Sequence, residues 1–189
     1  MNRSEKYCPT TEYESQLNMV DSQCTGETPA GATTLTVRPV GPLPSVDDLL
    51  VCALLYGDPL DVLAIVHDDD LASPHAAAVL AAIRALTDRG TTVCPQMVLS
   101  ELMRVGASRP AIDALRIATT AGAASCAARD LAGAVVAAAF RRKVESSGHA
   151  MKSAAERMAE ADLGALVSRV ANDCGDTAAR LARLRGGEL

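Results

Sequence analysis

The sequence predicts an all-α chain, a compact bundle of about five short helices followed by a long antiparallel helical hairpin. Three observations carry that expectation. Hydrophobic residues make up 49% of the chain and aromatics only 2%, so any core is built from Ala, Leu and Val, which suits closely approaching helices better than a β-sandwich. From Ser45 onward the apolar residues recur at three- and four-residue steps instead of alternating. Asp-Pro and Ser-Pro pairs and single glycines cut the first part of that pattern into short pieces, and connections this short imply antiparallel neighbours in one bundle.

A chain of 189 residues has room for one domain with a real core. The expected organisation is a disordered N-terminal tail (1–44), a helical body (45–125) and a hairpin (126–189), with 45–189 forming a single domain. The tail holds five of the nine prolines and almost no periodic apolar pattern, so ordering it would bury too little surface to offset the entropy. Its residues 34–38 alternate like a strand that could not be stable alone.

Order is expected to begin at Ser45, which caps a helix with Asp48 three residues on, ahead of the run Leu49, Leu50, Val51, Ala53, Leu54 and Leu55 that Gly57 stops. Asp58 and Pro59 then open a short helix reaching about His67, with Leu60, Leu63 and either Val66 or Ala64 inward. Asp68, Asp69 and Asp70 lack the alternating spacing and distant Glu of a calcium loop and read as a solvated turn. Ser73 and Pro74 start the best helix of the body, residues 75–89, whose stripe of Val79, Ala82, Ile83 and Leu86 ends at Gly90. Pro95 starts another, with Met97, Val98, Leu99 and Leu102 apolar, closed by Gly106. Ser108 and Pro110 begin a weaker one carrying Ile112, Leu115 and Ile117, which ends near Gly122.

In the first hairpin arm Ala132, Val136, Phe140, Val144, Met151, Ala155 and Met158 form a stripe interrupted at Gly148; in the second, Leu163, Val167, Val170, Cys174, Thr177, Leu181 and Leu184 alternate four and three. At 1.5 Å per residue the first arm, residues 127–160, would extend roughly 50 Å, longer than a small domain needs to cover its core. Part of the seam is therefore expected to be intermolecular, through Phe140, Val144, Met151, Val167, Val170 and Leu181.

The net charge of −5 argues against a general nucleic-acid binder, but its sign is uneven: residues 45–125 carry ten acids and five bases, residues 126–189 ten bases and eight acids. Candidate nucleic-acid contacts are therefore Arg141, Arg142, Lys143, Arg180 and Arg183 on the hairpin. The six cysteines share no short metal or redox spacing, and Cys52, Cys94 and Cys174 read as small buried hydrophobes. His75 has no second His or Cys at helical spacing and is given a packing or hydrogen-bonding role. No catalytic, metal-binding or cofactor-binding residue is assigned. With no signal-type or membrane-spanning run, the expected location is the cytoplasm.

Helix by helix, residues 46–184 resemble the N-terminal domain of the DnaB-type replicative DNA helicases. Asp48-Leu49-Leu50-Val51-Cys52-Ala53-Leu54-Leu55 is similar to the acidic residue and apolar run that open that domain. Asp70-Leu71-Ala72-Ser73-Pro74-His75, leading to Leu86-Thr87-Asp88-Arg89-Gly90, looks like the family's D-F-Y-x-x-x-H segment and the helix ending in L-x-x-x-G after it. The aromatic pair is Leu71-Ala72 here, and the His stands one position closer to the Asp. Residues 93–106 resemble the next family helix, and Arg141 or Arg142 would supply the Arg of the family's hairpin.

The resemblance implies a collar-type domain that pairs through its hairpin and recruits primase. The family's motor domain is expected to be absent: of the three lysines, Lys6, Lys143 and Lys152, none sits in a phosphate-cradling G-x-x-x-x-G-K-[ST]. The leading expectation is a non-catalytic module that forms a homo-oligomer and docks onto a replicative helicase, primase or loader. A regulator binding nucleic acid weakly through the basic hairpin face is the alternative. Ser-His-Asp hydrolysis would need His67, His75 or His149 beside a nucleophile on a strained turn, and no G-x-S-x-G element is present.

If the tail contributes nothing to folding, limited proteolysis leaves a stable core beginning near residues 42–46. Protection of sites around Tyr7 or Tyr13 would contradict this.

Overall fold

The computed structural model describes residues 43–186 apart from Pro59. The expected tail, with residues 34–38, Cys8 and Cys24, lies outside them except for its last two positions. Among the described residues the chain is all-α, with five short helices followed by two long antiparallel ones: α1 (Val46–Leu55), α2 (Leu60–Leu63), α3 (Pro74–Asp88), α4 (Pro95–Arg104), α5 (Arg109–Thr119), α6 (Ala128–Arg157) and α7 (Glu160–Leu184).

Helix α1 is the axis of the body. Its continuous apolar run suits a helix covered on all sides, and Leu50 through Leu55 are all buried, between α3, α5 and α6. The capping box forms as expected: Ser45 Oγ accepts the Asp48 N–H at 3.1 Å and Asp48 Oδ2 accepts the Ser45 N–H at 3.1 Å. Asp47 has a role that local pattern did not reveal. Its buried carboxylate accepts the N–H groups of Ala72 (2.8 Å) and Ser73 (3.0 Å), fastening the start of α1 to the start of α3. Gly57 is required for its size, since a Cβ there would lie 2.9 Å from both Ala53 O and Ser125 Cβ.

The helix expected to run from Asp58 to His67 stops after one turn. Val62, Leu63, Ile65 and Val66 turn inward, whereas Leu60, expected inside, is 60% exposed. The cause is an alternative set of partners for the backbone. Arg84 of α3 donates to Leu63 O (2.7 Å) and Val66 O (2.9 Å), and Arg180 of α7 donates to Ile65 O (3.1 Å), so these carbonyls need no helical N–H.

Residues Asp68–Asp70 form a 3-10 turn, and only part of it is solvated. Asp69 is exposed and Asp68 meets Arg84 at 3.3 Å, but Asp70 is buried. One Asp70 oxygen accepts the His67 N–H at 2.8 Å. Both carboxylate oxygens receive the guanidinium fork of Arg180, whose side chain is 11% exposed, and Arg142 of α6 donates to the Asp70 backbone carbonyl at 2.6 Å.

Ser73 caps α3 by accepting the Ala76 N–H at 3.3 Å, and the stripe Val79, Ala82, Ile83 and Leu86 is buried as expected. Gly90, at φ 65°, ends the helix, with the Thr91 N–H returning to Leu86 O and the Gly90 N–H to Thr87 O, both at 2.9 Å, a Schellman termination. His75 is exposed rather than packed, and of the three cysteines read as buried only Cys52 is fully so, Cys94 and Cys174 being half-buried. Buried Glu101 of α4 takes Arg104 through two bonds (2.7 and 2.9 Å) and Arg89, at the end of α3, through two more (2.7 and 3.2 Å), tying the α3–α4 connection.

Two residues, Met158 and Ala159, join the hairpin arms, which span 30 and 25 residues. Only the base of the hairpin belongs to the core: Ala132, Val135 and Val136 on α6 and Leu184 on α7 join it, with Leu181 packed against it. Arg129 donates to Leu184 O (3.0 Å) and Arg183 O (2.5 Å), capping the carbonyl end of α7 where a cation is favoured.

Two consequences are measurable. The hydrogen bonds from Arg104 and then Arg89 hold the Glu101 carboxyl down to about 2 from its ordinary 4.5. Its lowered value means the folded state binds fewer protons, so this contribution is complete above pH 4.5 and is lost as pH falls towards 2. Urea unfolding across that window is therefore expected to show a smaller pH dependence for Glu101→Gln than for wild type. At the Asp70–Arg180 pair, Arg180→Met leaves a buried carboxylate unmatched and is expected to lower stability by about 3–5 kcal/mol, whereas Asp70→Asn combined with Arg180→Met costs less than the two single changes summed. Additive effects would contradict the pairing.

Candidate interaction surface on the hairpin

The two arms do not meet along the apolar stripe that the periodicity picks out. Near the base the stripe's Val136 is buried and its Phe140 half-buried, and beyond them the less exposed positions of α6 shift by one from the stripe. Lys143 Nζ donates to Thr177 Oγ1 across the arms at 3.1 Å, Ser147 one turn later is half-buried, and Ala154 is buried beside Leu166 of α7 near the tip. On α7 the line runs Leu163, Leu166, Val170, Cys174 and Thr177, a three-four-four-three progression. This line departs from the heptad seam read in the sequence at one position: Leu166 is half-buried and its neighbour Val167 is exposed.

What remains is an apolar strip outside the intrachain seam. Val144 is 48% exposed, Val167 54%, and Met151 and Met158 are also exposed. Of the six residues assigned from sequence to an intermolecular contact, Val144, Met151 and Val167 face solvent, Phe140 and Val170 are half-buried, and Leu181 packs against the core of its own chain. On its α6 side the intrachain line is polar or small at Lys143, Ser147 and Ala154, with Val144 and Met151 outside it, while its α7 side keeps Leu163, Leu166 and Val170.

The basic candidates separate in the same way. Arg180, read from sequence as part of a basic face, is instead buried against Asp70. Lys143 is bonded to Thr177 and Arg142 to the Asp70 carbonyl. Arg141 and Arg183 are exposed, on different helices. The structure therefore does not gather the five cations into one continuous field. Among the described residues no helix is long and apolar enough to cross a membrane.

No family model and no curated relative matches the sequence. The fold does match a solved structure, the crystal structure of the N-terminal domain of DnaB helicase from Mycobacterium tuberculosis, with a TM-score of 0.61 and 24% sequence identity over 69% of this chain and 94% of that one. The chain thus has the fold of a DnaB helicase N-terminal domain.

Proposed function

We propose that this chain is a non-catalytic interaction module of the helicase N-terminal type, which self-associates through its hairpin and docks onto DNA replication machinery: a helicase, a primase or a loader. The observation that carries the reading is the exposure of Val144, Met151 and Met158 at seven-residue steps along the first arm, and of Val167 on the second. Aliphatic groups left exposed at heptad spacing along a helix arm are what a second hairpin would cover. The DnaB-like fold supplies the association with replication. The placement of Arg180, Lys143 and Arg142 in intrachain bonds favours this reading over the nucleic-acid-binding one.

Val144 and Val167 are the informative positions, because an aspartate at an exposed site changes stability by no more than about 0.5 kcal/mol. Light scattering and circular dichroism at about 50 µM protein are expected to show a dimer or larger species for wild type, and a monomer of unchanged helix content for Val144→Asp and Val167→Asp. A monomeric wild type, or variants that remain associated, would overturn self-association through this strip. Co-elution with purified helicase, primase or loader tests the docking separately.

A further inference from the structure

A second surface lies on the opposite part of the chain, where α4 and α5 pack on α3 and leave an apolar groove between them. Its floor and walls are Pro95, Leu99, Ile112 and Leu115, with Gln96, Arg116 and Thr119 at the edges. Leu99 is exposed, and Met103, one turn further along the same stripe, is exposed as well. A trough between two helices accepts the ridge of a third.

Charge indicates the occupant. Residues 45–88 carry eight acids and one base, but α4, α5 and Arg89 together carry four arginines against two carboxylates. Both of those carboxylates are already engaged: Glu101 by Arg89 and Arg104, Asp113 by Arg109 at 3.4 Å. Arg116, exposed on the groove wall, forms no ion pair among the described residues. An apolar trough with a cationic edge in an otherwise acidic body selects against a cationic ligand and for an anionic one. We infer that the α4–α5 groove is a docking site for an acidic amphipathic helix of another protein, its apolar stripe seated on Leu99, Ile112 and Leu115 and its carboxylates against Arg116. The exposed methionine beside the groove adapts its shape to side chains of differing outline.

The inference is independent of hairpin self-association and is tested with the full chain. The probe is a fluorescein-labelled synthetic peptide of about five helical turns with leucines at i, i+3, i+4 and i+7 and flanking glutamates; its control replaces each glutamate by lysine. Fluorescence anisotropy is expected to show saturable binding of the glutamate peptide that weakens as salt rises from about 50 to 300 mM, and at least about tenfold weaker binding of the lysine peptide. Arg116→Glu, on an exposed side chain, is expected to reduce affinity for the glutamate peptide about tenfold and to narrow or reverse the preference. Leu99→Asp, checked for unchanged helix content, abolishes binding, and Val144→Asp leaves it intact. Amide chemical-shift changes fall on α4 and α5. The inference is overturned by equal affinity for the two peptides, by an Arg116→Glu chain that binds like wild type, by shift changes confined to α6 and α7, or by no saturable binding up to about 1 mM peptide.

Discussion

The buried pair between Asp70 and Arg180 fixes how the hairpin stands on the body. Two groups of opposite charge removed from water are costly unless each is fully matched, and here the match is close: a guanidinium fork on both carboxylate oxygens, with the His67 N–H on one of them. Arg142 adds a hold from the other hairpin arm, and Arg84 grips the same stretch from α3. The stretch from Leu63 to Asp70 is thus held from three helices at once. Such a network contributes orientation more than stability: the bonds from Arg180 to Asp70 and Ile65 O and from Arg142 to the Asp70 carbonyl form together in one placement of α6 and α7, while Arg180 Nε is left without a partner among the described residues.

Much of the fold was legible because its signals are short-range. Ser45 with Asp48, Ser73 before Pro74, and Gly90 after Leu86 each act within a single turn, and each does in the structure what its position implied. The stripe of α3 needed only its own spacing. What stayed hidden depends on partners far along the chain. Arg180 lies 110 residues from Asp70, and Asp47 reaches across 25 residues to Ala72, so neither carboxylate differs in local pattern from a solvated one. The early end of α2 has the same origin, since its carbonyls are claimed by side chains from α3 and α7.

The hairpin shows a different limit. Periodicity identifies which residues of a helix share a face, but not which neighbour that face meets. The apolar stripe of α6 and its line of less exposed residues coincide at Val136 and Phe140, then separate by one residue, roughly 100° of rotation around the helix. A polar bond from Lys143 to Thr177 and a small buried Ala154 complete the inner line. The base of the hairpin is anchored in the core and capped by Arg129, and further out Val144, Met151 and Val167 remain exposed.

Arg84 and Arg180 hold residues 63–66 by main-chain oxygens, atoms that every amino acid supplies. Over evolutionary time this stretch is free to exchange its letters wherever the replacements keep their apolar bulk, because the grip does not read them. The requirement falls instead on Arg84 and Arg180, two long cationic side chains from helices far apart in the chain, and on Asp70, which fixes Arg180: exchanging any of these three removes the hold, whereas an apolar exchange within residues 63–66 keeps it.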